Sequence, residues 1–324
     1  MNHPQPLGIF LAASVVISAC HEEFNPKGSH KDELVVFAVL SAQNDTQFVR
    51  VYITYDPPGY DPVAVTVDNP VTDAQVLVSG AGNAYQLRDT MVTRKDKSRY
   101  TSDIRTYVGF PMPILAGATY TLSVNSPTRG SATSLATVPG HAQMVVINPY
   151  VLDKPKDFLS QDVSILIALS PSSKGYVLRA YLVFQYVANS VTVTDQIEVP
   201  SVVRDVDGQV LEGFPGLTRR TSVASSTSTN REQASIQNRA YRSAIDKLNQ
   251  IYGNLNLRYR FIRFILTQVE PNFYNYYNIA NGFQDEFSIR TDQPDYSNIR
   301  GGVGVFGAAT TDTLIYSLPL GFIP

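Results

Sequence analysis

Short stretches in which apolar and polar residues alternate, separated by turn-forming residues, constrain the fold of this chain more than any other feature. In residues 49–55 (VRVYITY) the odd positions are apolar and the even positions more polar, which is the period of a half-buried β-strand. Residues 73–78 and 119–124 repeat the pattern, and turn formers such as Gly80-Ala81-Gly82-Asn83 lie between them. Strands of this length and spacing over about 100 residues predict an antiparallel, immunoglobulin-like β-sandwich, here at residues 33–140.

The rest of the chain, residues 141–324, is predicted to form a second, β-rich domain. Its strands are expected at residues 163–169, 176–187, 191–199, 303–306 and 313–318. Leu257, Tyr259 and Phe261 alternate with arginines, and the alternation slips at Phe261-Ile262 as it does at a β-bulge. The predicted fold class is therefore mainly β: an N-terminal immunoglobulin-like sandwich, followed by a β-rich domain with one or two helices.

Two helices are predicted within this second domain. Near residues 231–252, apolar residues recur every three or four positions after Asn230 as a possible N-cap, and Gly253 ends the pattern. The apolar positions are Ile236, Ala240, Tyr241, Ala244, Leu248 and Ile251. Pro271 can open a second, aromatic helix near residues 272–283.

The first twenty residues resemble the signal peptide of a bacterial lipoprotein. Residues 7–19 are apolar or small, and this run is too short to cross about 30 Å of hydrocarbon as a permanent helix. It ends in Ile17-Ser18-Ala19-Cys20, which resembles a lipobox, the motif in which the cysteine is acylated and becomes the new N-terminus. We expect residues 1–19 to be the signal peptide, Cys20 to carry the lipid, and residues 20–32 to be a flexible tether. The alternatives are an ordinary signal peptide with an incidental cysteine, or a buried first strand.

Two details of this segment bear on localisation. Residues 1–6 contain no Lys or Arg, which departs from the usual signal-peptide pattern. Glu22-Glu23 either belong to a solvated tether or are similar to the surface-export signal of Bacteroidetes-type lipoproteins. We therefore expect the chain to be attached to the outer membrane through the lipid on Cys20, at its periplasmic or its cell-surface face.

Two separated parts of the chain resemble a known family. The first part comprises residues 70–76 (PVTDAQV), 84–87 (AYQL), 100–102 (YTS), 117–122 (GATYTL) and 137–139 (TVP). The second is residues 296–308 (YSNIRGGVGVFGA), in which Asn-Ile precedes Gly-x-Gly-x-Phe-Gly. Together with the lipobox, these segments resemble the Bacteroidetes outer-membrane lipoprotein family catalogued as domain of unknown function 4249. The resemblance implies an anchored, β-rich envelope protein, similar to accessories of TonB-dependent transporters, and it implies no activity.

Charge and the scarcity of cysteine and histidine exclude several classes of function. With 26 Lys+Arg against 28 Asp+Glu, the net charge of −2 excludes a basic nucleic-acid-binding protein. Cys20 is the single cysteine, and His141 is the one histidine outside the signal and tether. Thiolate or multi-histidine zinc sites and Cys-His catalysis are therefore excluded, and a Ser-His-Asp triad would have to use His141. We expect no cofactor and no metal, while catalysis by a carboxylate pair, for instance involving Asp285-Glu286, stays open.

Two motifs match ligand-binding signatures only in part. Residues 302–307 spell G-x-G-x-x-G, but a dinucleotide site needs a helix after this motif, whereas a strand is predicted here. Asp205-Val206-Asp207-Gly208 begins like a calcium loop, but Gly216 stands at the twelfth position, where such a loop needs Glu. These residues instead predict close-packed strand glycines and a hairpin turn.

Two further features are candidates for recognition surfaces. Phe273, Tyr274, Tyr276 and Tyr277 place four rings within five residues. We expect Phe273 and Tyr277 to pack in the core, and Tyr274 or Tyr276 to be exposed and to stack on a sugar or peptide. Residues 219–263 contain nine Lys or Arg and two acidic residues, which indicates a solvated basic face or a site for an acidic partner or lipid head group.

The expected function is that of a non-enzymatic envelope lipoprotein, a binding or assembly accessory associated with an outer-membrane transporter of the TonB-dependent type. The alternatives are a structural or adhesive surface module and, less favoured, a carboxylate-dependent glycan hydrolase. A deep pocket with two carboxylates about 5–10 Å apart would favour the hydrolase. A shallow aromatic face would favour binding, and a flat surface would favour a structural role.

Overall fold

The computed structural model describes residues 30–57, 64–207, 209–222, 231–253, 255–281, 296–319 and Phe322. Within these residues the chain is mainly β, as predicted, with eighteen strands and four helices. Several features of the sequence lie outside the described residues. These are the predicted signal peptide, Cys20, nearly all of the tether, Gly208, Asn230, and Asp285-Glu286.

Eight strands of the first half form two sheets that enclose one core. They are β1 (Leu34–Ser41), β2 (Gln47–Ile53), β3 (Gln75–Gly80), β4 (Asn83–Gln86), β5 (Arg88–Val92), β6 (Ile104–Gly109), β7 (Thr119–Ser126) and β8 (Gly130–Thr137). One sheet has the order β1-β2-β6-β5 and the other β4-β3-β7-β8. If the eight strands are lettered A, B, C, C′, D, E, F and G in chain order, the two sheets have the orders A-B-E-D and C′-C-F-G. Immunoglobulin-type sandwiches group their strands as A-B-E-D and C-F-G. The immunoglobulin-like class stays a prediction, and this strand order supports it.

The two-residue period of these strands creates the sandwich core. Leu34, Val36, Val49 and Val51 are at most 2% exposed and face inward from β1 and β2, where they meet buried residues of the second sheet such as Leu122. Because side chains alternate between the faces of a strand, Phe37 and the other intervening residues of β1 and β2 lie on the outer face. The alternation predicted for residues 49–55 is thus confirmed for residues 49–53, where β2 ends, whereas Tyr55, predicted on the apolar face, is 37% exposed.

The second half contains ten strands and four helices. They are β9 (Gln143–Val146), α1 (Tyr150–Asp153), α2 (Pro155–Phe158), β10 (Val163–Ala168), β11 (Gly175–Ala188), β12 (Val191–Val199), β13 (Val202–Val206), β14 (Gln209–Gly213), β15 (Thr218–Arg219), β16 (Arg231–Ile236), α3 (Asn238–Tyr252), β17 (Arg258–Val269), α4 (Pro271–Asn281) and β18 (Gly302–Ser317). Strands β16-β10-β9 form a three-stranded sheet, and β13-β14 form the predicted hairpin. Among the described helices, none is long and apolar enough to cross a membrane.

Strand β18 joins the two halves into one nine-stranded sheet. Its order is β12-β11-β17-β18-β1-β2-β6-β5, with β15 paired to β11. The first part of β18 runs parallel to β1, from Leu34↔Gly302 to Ser41↔Ala309, and its second part pairs antiparallel with β17. The two closing strands predicted at 303–306 and 313–318 are therefore one strand. The prediction divided them because the intervening residues 307–312 (GAATTD) are small or polar and show no alternation.

Strand β18 also contributes to the core of the first half. Phe306, Ala308 and the preceding Ile299 are buried among the sandwich residues, although the sequence placed all of residues 141–324 in the second domain. The side chain of Asn298 accepts the Phe306 backbone N–H at 2.9 Å and donates to the Phe306 carbonyl at 2.7 Å. Because β17 begins to pair with β18 only at Ala309, this amide satisfies backbone groups that lack a strand neighbour on that side. The Asn-Ile and Gly-x-Phe-Gly residues of the motif thus form one structural unit.

The G-x-G-x-x-G residues are close-packed strand glycines, as predicted. Gly304 has φ +119°, a conformation that side chains rarely adopt, and a Cβ there would overlap the carbonyl oxygen of Val36. A Cβ at Gly307 would lie 2.7 Å from Cβ of Phe273, so the glycine lets α4 approach the sheet. The predicted bulge is also confirmed, because Val183 pairs with Phe261 while Phe184 pairs with Tyr259, leaving Arg260 as the extra residue.

The predicted helix near 231–252 begins later than expected. Residues 231–236 are strand β16, which pairs with β10 from Val163↔Ile236 to Ala168↔Arg231, and α3 starts at Asn238. Ile236 fits the helical spacing by coincidence, because its burial comes from the two-residue period of β16. The second predicted helix, near 272–283, is α4, and residues 282–283 lie outside the described chain.

Candidate functional site

The outer face of β1 and β2 carries a pocket of about 410 Å³, called here the β1–β2 pocket. Val35 pairs with Tyr52 and Phe37 pairs with Arg50 across the two strands, so these four side chains share the face opposite the core. The complete lining is Val35, Phe37, Arg50, Tyr52, Ile53, Thr54, Tyr55, Val67, Asp68, Asn69, Arg94 and Tyr100. The floor is therefore sheet, and the walls come from connecting segments of the sandwich.

One wall of the β1–β2 pocket is held by a network of hydrogen bonds and ring contacts. Arg94 forms an ion pair with Asp68, and the two side chains are 14% and 17% exposed. The Arg94 Nε donates to the Ser102 carbonyl at 2.8 Å, and the Arg94 guanidinium lies 5.1 Å from the Tyr100 ring centroid. The Arg99 guanidinium lies 4.9 Å from the same centroid. Two cation–π contacts thus orient the Tyr100 ring at the pocket wall.

Arg50 and Tyr52 place two polar groups on the pocket floor. Arg50 is exposed, and among the described residues it forms no ion pair with a carboxylate. The Tyr52 hydroxyl donates to the Arg105 carbonyl at 3.3 Å. Burial, reinforced by the nearby Asp68 carboxylate, raises the pKa of Tyr52 above its ordinary value, so the hydroxyl is neutral at pH 7. The floor thus offers one cation and one neutral phenol beside an ion pair.

Helix α4, which carries the four neighbouring aromatic residues, lies beside the β1–β2 pocket. Tyr276 meets Phe37, a pocket residue, edge to face at 5.7 Å between ring centroids. Tyr274 is only 8% exposed and packs against Gly175, whereas Tyr277 is 40% exposed. The prediction that Tyr277 packs in the core is therefore wrong, and of the two rings offered as exposed, Tyr274 or Tyr276, Tyr274 is buried. Tyr276 stays a candidate for ligand contact, while burial argues against Tyr274.

The position of α4 depends on a buried carboxylate at its start. Glu270 is 1% exposed and acts as the N-cap, accepting the backbone N–H groups of Asn272 and Phe273 at 2.7 Å each. Burial raises the pKa of Glu270, and these hydrogen bonds offset only part of that effect. This carboxylate has a structural role, because its partners are the free N–H groups of the helix end.

A second cavity, of about 570 Å³, lies between the β13–β14 hairpin and α3 and is called here the hairpin cavity. Its lining includes the carboxylates of Asp205, Glu212 and Asp246. Glu212 forms an ion pair with Lys247 and accepts a hydrogen bond from the Ser243 hydroxyl. Burial acts to raise the pKa of Glu212, but the bonds from Lys247 and Ser243 outweigh it, and the pKa is lower than usual. An ionised, fully bonded carboxylate is unsuited to act as a general acid.

We expect Glu212→Gln to destabilise the protein more at pH 7 than at pH 3. The lowered folded-state pKa means that the ionised carboxylate stabilises the fold above the ordinary value of 4.5, and that this contribution is lost as the pH falls through the folded-state pKa. The check is a comparison of urea unfolding midpoints at pH 7 and pH 3, with Asp246→Asn as a matched control on the same cavity. If Glu212→Gln lowered the unfolding midpoint equally at both pH values, the stabilising role of the ionised Glu212 carboxylate would be contradicted.

The remaining predicted sites do not form a catalytic or metal-binding constellation in the described residues. His141 Nδ1 lies 2.7 Å from Asp312 Oδ1, but no serine hydroxyl is bonded to the ring within the part of the chain that the structure describes. Across the same residues, no three His, Cys, Asp or Glu side chains come together as a metal site requires. The basic residues of 219–263 are dispersed: Arg220 is buried, Lys247 pairs with Glu212, and Arg263 lies 5.6 Å from the Tyr181 ring centroid.

The fold defines a mainly β protein in which a two-sheet sandwich shares one sheet with a second β-rich unit. The chain belongs to the family described as Domain of unknown function (DUF4249), whose family model matches residues 21–315. The predicted family is thereby confirmed, and its lipoprotein character stays a prediction.

No curated protein matches the chain. One solved structure to which it is similar is the C-terminal globular domain of an oligosaccharyltransferase from Pyrococcus abyssi, with 12% identity and a TM-score of 0.21. That match covers 70% of this chain, which spans 43% of the length of that chain.

Proposed function

We propose that this chain is a lipid-anchored binding protein of the outer membrane, without enzymatic activity, that uses the β1–β2 pocket to hold a ligand beside an outer-membrane transporter. The lipid on Cys20 attaches it to the membrane. Residues 20–33 allow at most about 50 Å between the lipid and the first strand, since an extended chain spans about 3.3–3.6 Å per residue. The sandwich and its pocket therefore operate close to the membrane surface.

The observation that carries the binding function is the composition of the β1–β2 pocket. Phe37, Tyr52 and Tyr100 supply aromatic surface, which favours binding over a purely structural or adhesive role. Its single lining carboxylate, Asp68, is engaged by Arg94. Glycoside hydrolysis by a carboxylate pair needs a second acid about 5–10 Å away, which the lining of this pocket does not supply.

The membrane anchor is tested by Cys20→Ser in the native host. We expect this variant to leave the membrane fraction and to accumulate as soluble or unprocessed protein, because the acceptor thiol of the lipid is gone. Fractionation followed by immunoblotting measures the distribution, with His21→Ala as the matched control that should fractionate like wild type. Recovery of Cys20→Ser in the membrane fraction at the wild-type level would overturn the anchor.

The transporter association is tested by cross-linking in intact cells followed by mass spectrometry. We expect the wild-type chain to cross-link to a TonB-dependent type transporter and the Cys20→Ser chain to lose that product, because it is no longer held in the same membrane. Cross-links only between copies of this chain would contradict the accessory role and favour the structural module.

A further inference from the structure

The charges and rings of the β1–β2 pocket specify a class of ligand, and this inference rests on the proposed binding function. We propose that the pocket binds an acidic saccharide, with Arg50 holding the sugar carboxylate and Tyr100 contacting the sugar from the pocket wall. The ligand class is thus a uronate-type glycan unit.

The charge balance of the pocket assigns Arg50 as the anion-binding group. Asp68 neutralises Arg94, and both are largely buried in the wall. Arg50 is exposed on the floor opposite Phe37 and forms no ion pair among the described residues, so it contributes an uncompensated positive charge. A guanidinium binds a carboxylate through two parallel N–H···O bonds, which gives both affinity and orientation.

The aromatic groups of the pocket favour a saccharide over other anions. Tyr100 lines the pocket, and the guanidiniums over its ring, at 5.1 and 4.9 Å from the centroid, hold it in place. The part of the side chain that lines the pocket is therefore a fixed apolar contact for sugar C–H groups at little entropic cost. Thr54 and Asn69 line the same space and can hydrogen-bond sugar hydroxyl groups. The volume of about 410 Å³ lies within the range of small-ligand sites.

The pairing of the floor strands argues against an extended peptide as the ligand. Strand β1 is paired with β18 on one side and with β2 on the other, so its backbone groups are already satisfied. Peptides that add as a strand need a free sheet edge, and the pocket floor has none. A ligand there must be recognised by side chains, as a compact sugar is.

The test measures binding of trigalacturonate by the full mature chain with Cys20→Ser, using isothermal titration calorimetry. The matched neutral probe is fully methyl-esterified trigalacturonate, and an acidic tripeptide is the third probe. We expect the uronate to bind at least tenfold more tightly than its ester. Arg50→Gln should abolish this difference, and Tyr100→Ala should weaken both sugars at least tenfold. Arg88→Gln, an exposed arginine of β5 outside the pocket, should behave like wild type.

The outcomes separate this inference from the proposed function. Equal binding of uronate and ester, no binding of either sugar, or binding of the acidic tripeptide alone would each overturn the acidic-saccharide inference. The anchor and the transporter association would still stand or fall with the Cys20→Ser and cross-linking experiments. Arg50 is exposed, so its substitution should leave the core intact and the thermal midpoint unchanged. The comparison of wild type with Arg50→Gln therefore tests the inference even if Tyr100→Ala fails to fold.

Discussion

Replacing Phe306 by alanine is expected to lower the free energy of unfolding by about 3–5 kcal/mol, as large aromatic truncations in cores do. Phe306 is 0% exposed and lies on β18, yet it packs among residues of the first half such as Val36 and Leu122. Its removal leaves a cavity between the two sandwich sheets, which are too well packed to close around it. Truncation of this residue of β18 should therefore destabilise the N-terminal sandwich.

Urea unfolding, followed by far-ultraviolet circular dichroism, measures this effect. Ile315→Ala on the same strand is the control, because that side chain is 55% exposed and its truncation should change stability by less than about 1 kcal/mol. If Phe306→Ala were as stable as Ile315→Ala, β18 would not complete the sandwich core, and the division at residue 140 would describe two independent domains.

Tyr274→Ala is expected to cost about 3 kcal/mol or more, because the ring is 8% exposed and fills the space beside Gly175. A Cβ at Gly175 would overlap the Tyr274 ring, which shows how closely the ring approaches β11. Tyr277→Ala should change stability by less than about 1 kcal/mol, since Tyr277 is 40% exposed. Thermal unfolding of the two variants side by side provides the measurement.

The two tyrosine variants also decide which side of α4 faces the sheet. The helix is fixed by the Glu270 cap and by the close approach of Phe273 to Gly307, and this orientation turns Tyr274 inward. A larger loss of stability for Tyr277→Ala than for Tyr274→Ala would restore the orientation expected from the sequence and contradict the packing seen in the structure.

Local patterns predicted most of the strands. Residues 49–55 show the alternation that buries Val49 and Val51, and Val191–Val199 is a strand with the predicted bounds. The β13–β14 hairpin and the bulge beside Phe261 were likewise predicted from neighbouring residues. These features depend on side-chain period and turn chemistry, which act over a few residues and are therefore visible in the sequence.

The part of the candidate site that lies on β2 could also be predicted from the local pattern. The even positions of residues 49–55 include Arg50 and Tyr52, so a cation and a phenol on the face opposite the core were a usable signal. Asp68, Arg94 and Tyr100 come from two separate connecting segments, and no short-range pattern places them beside β2. The orientation of α4 was also missed, because four neighbouring rings give no helical face a clear apolar preference.

The sequence by itself determined that the chain is mainly β, where most strands lie, and which residues of strands such as β2 face a core, because these follow from local periodicity. It also determined the family to which the chain belongs. Only the tertiary structure decided that β18 runs parallel to β1, that Phe306 completes the first core, and that Arg50 and Tyr100 line one pocket. The physical reason is that pairing between residues hundreds of positions apart depends on how whole sheets pack. Such contacts do not produce a periodic pattern in the sequence.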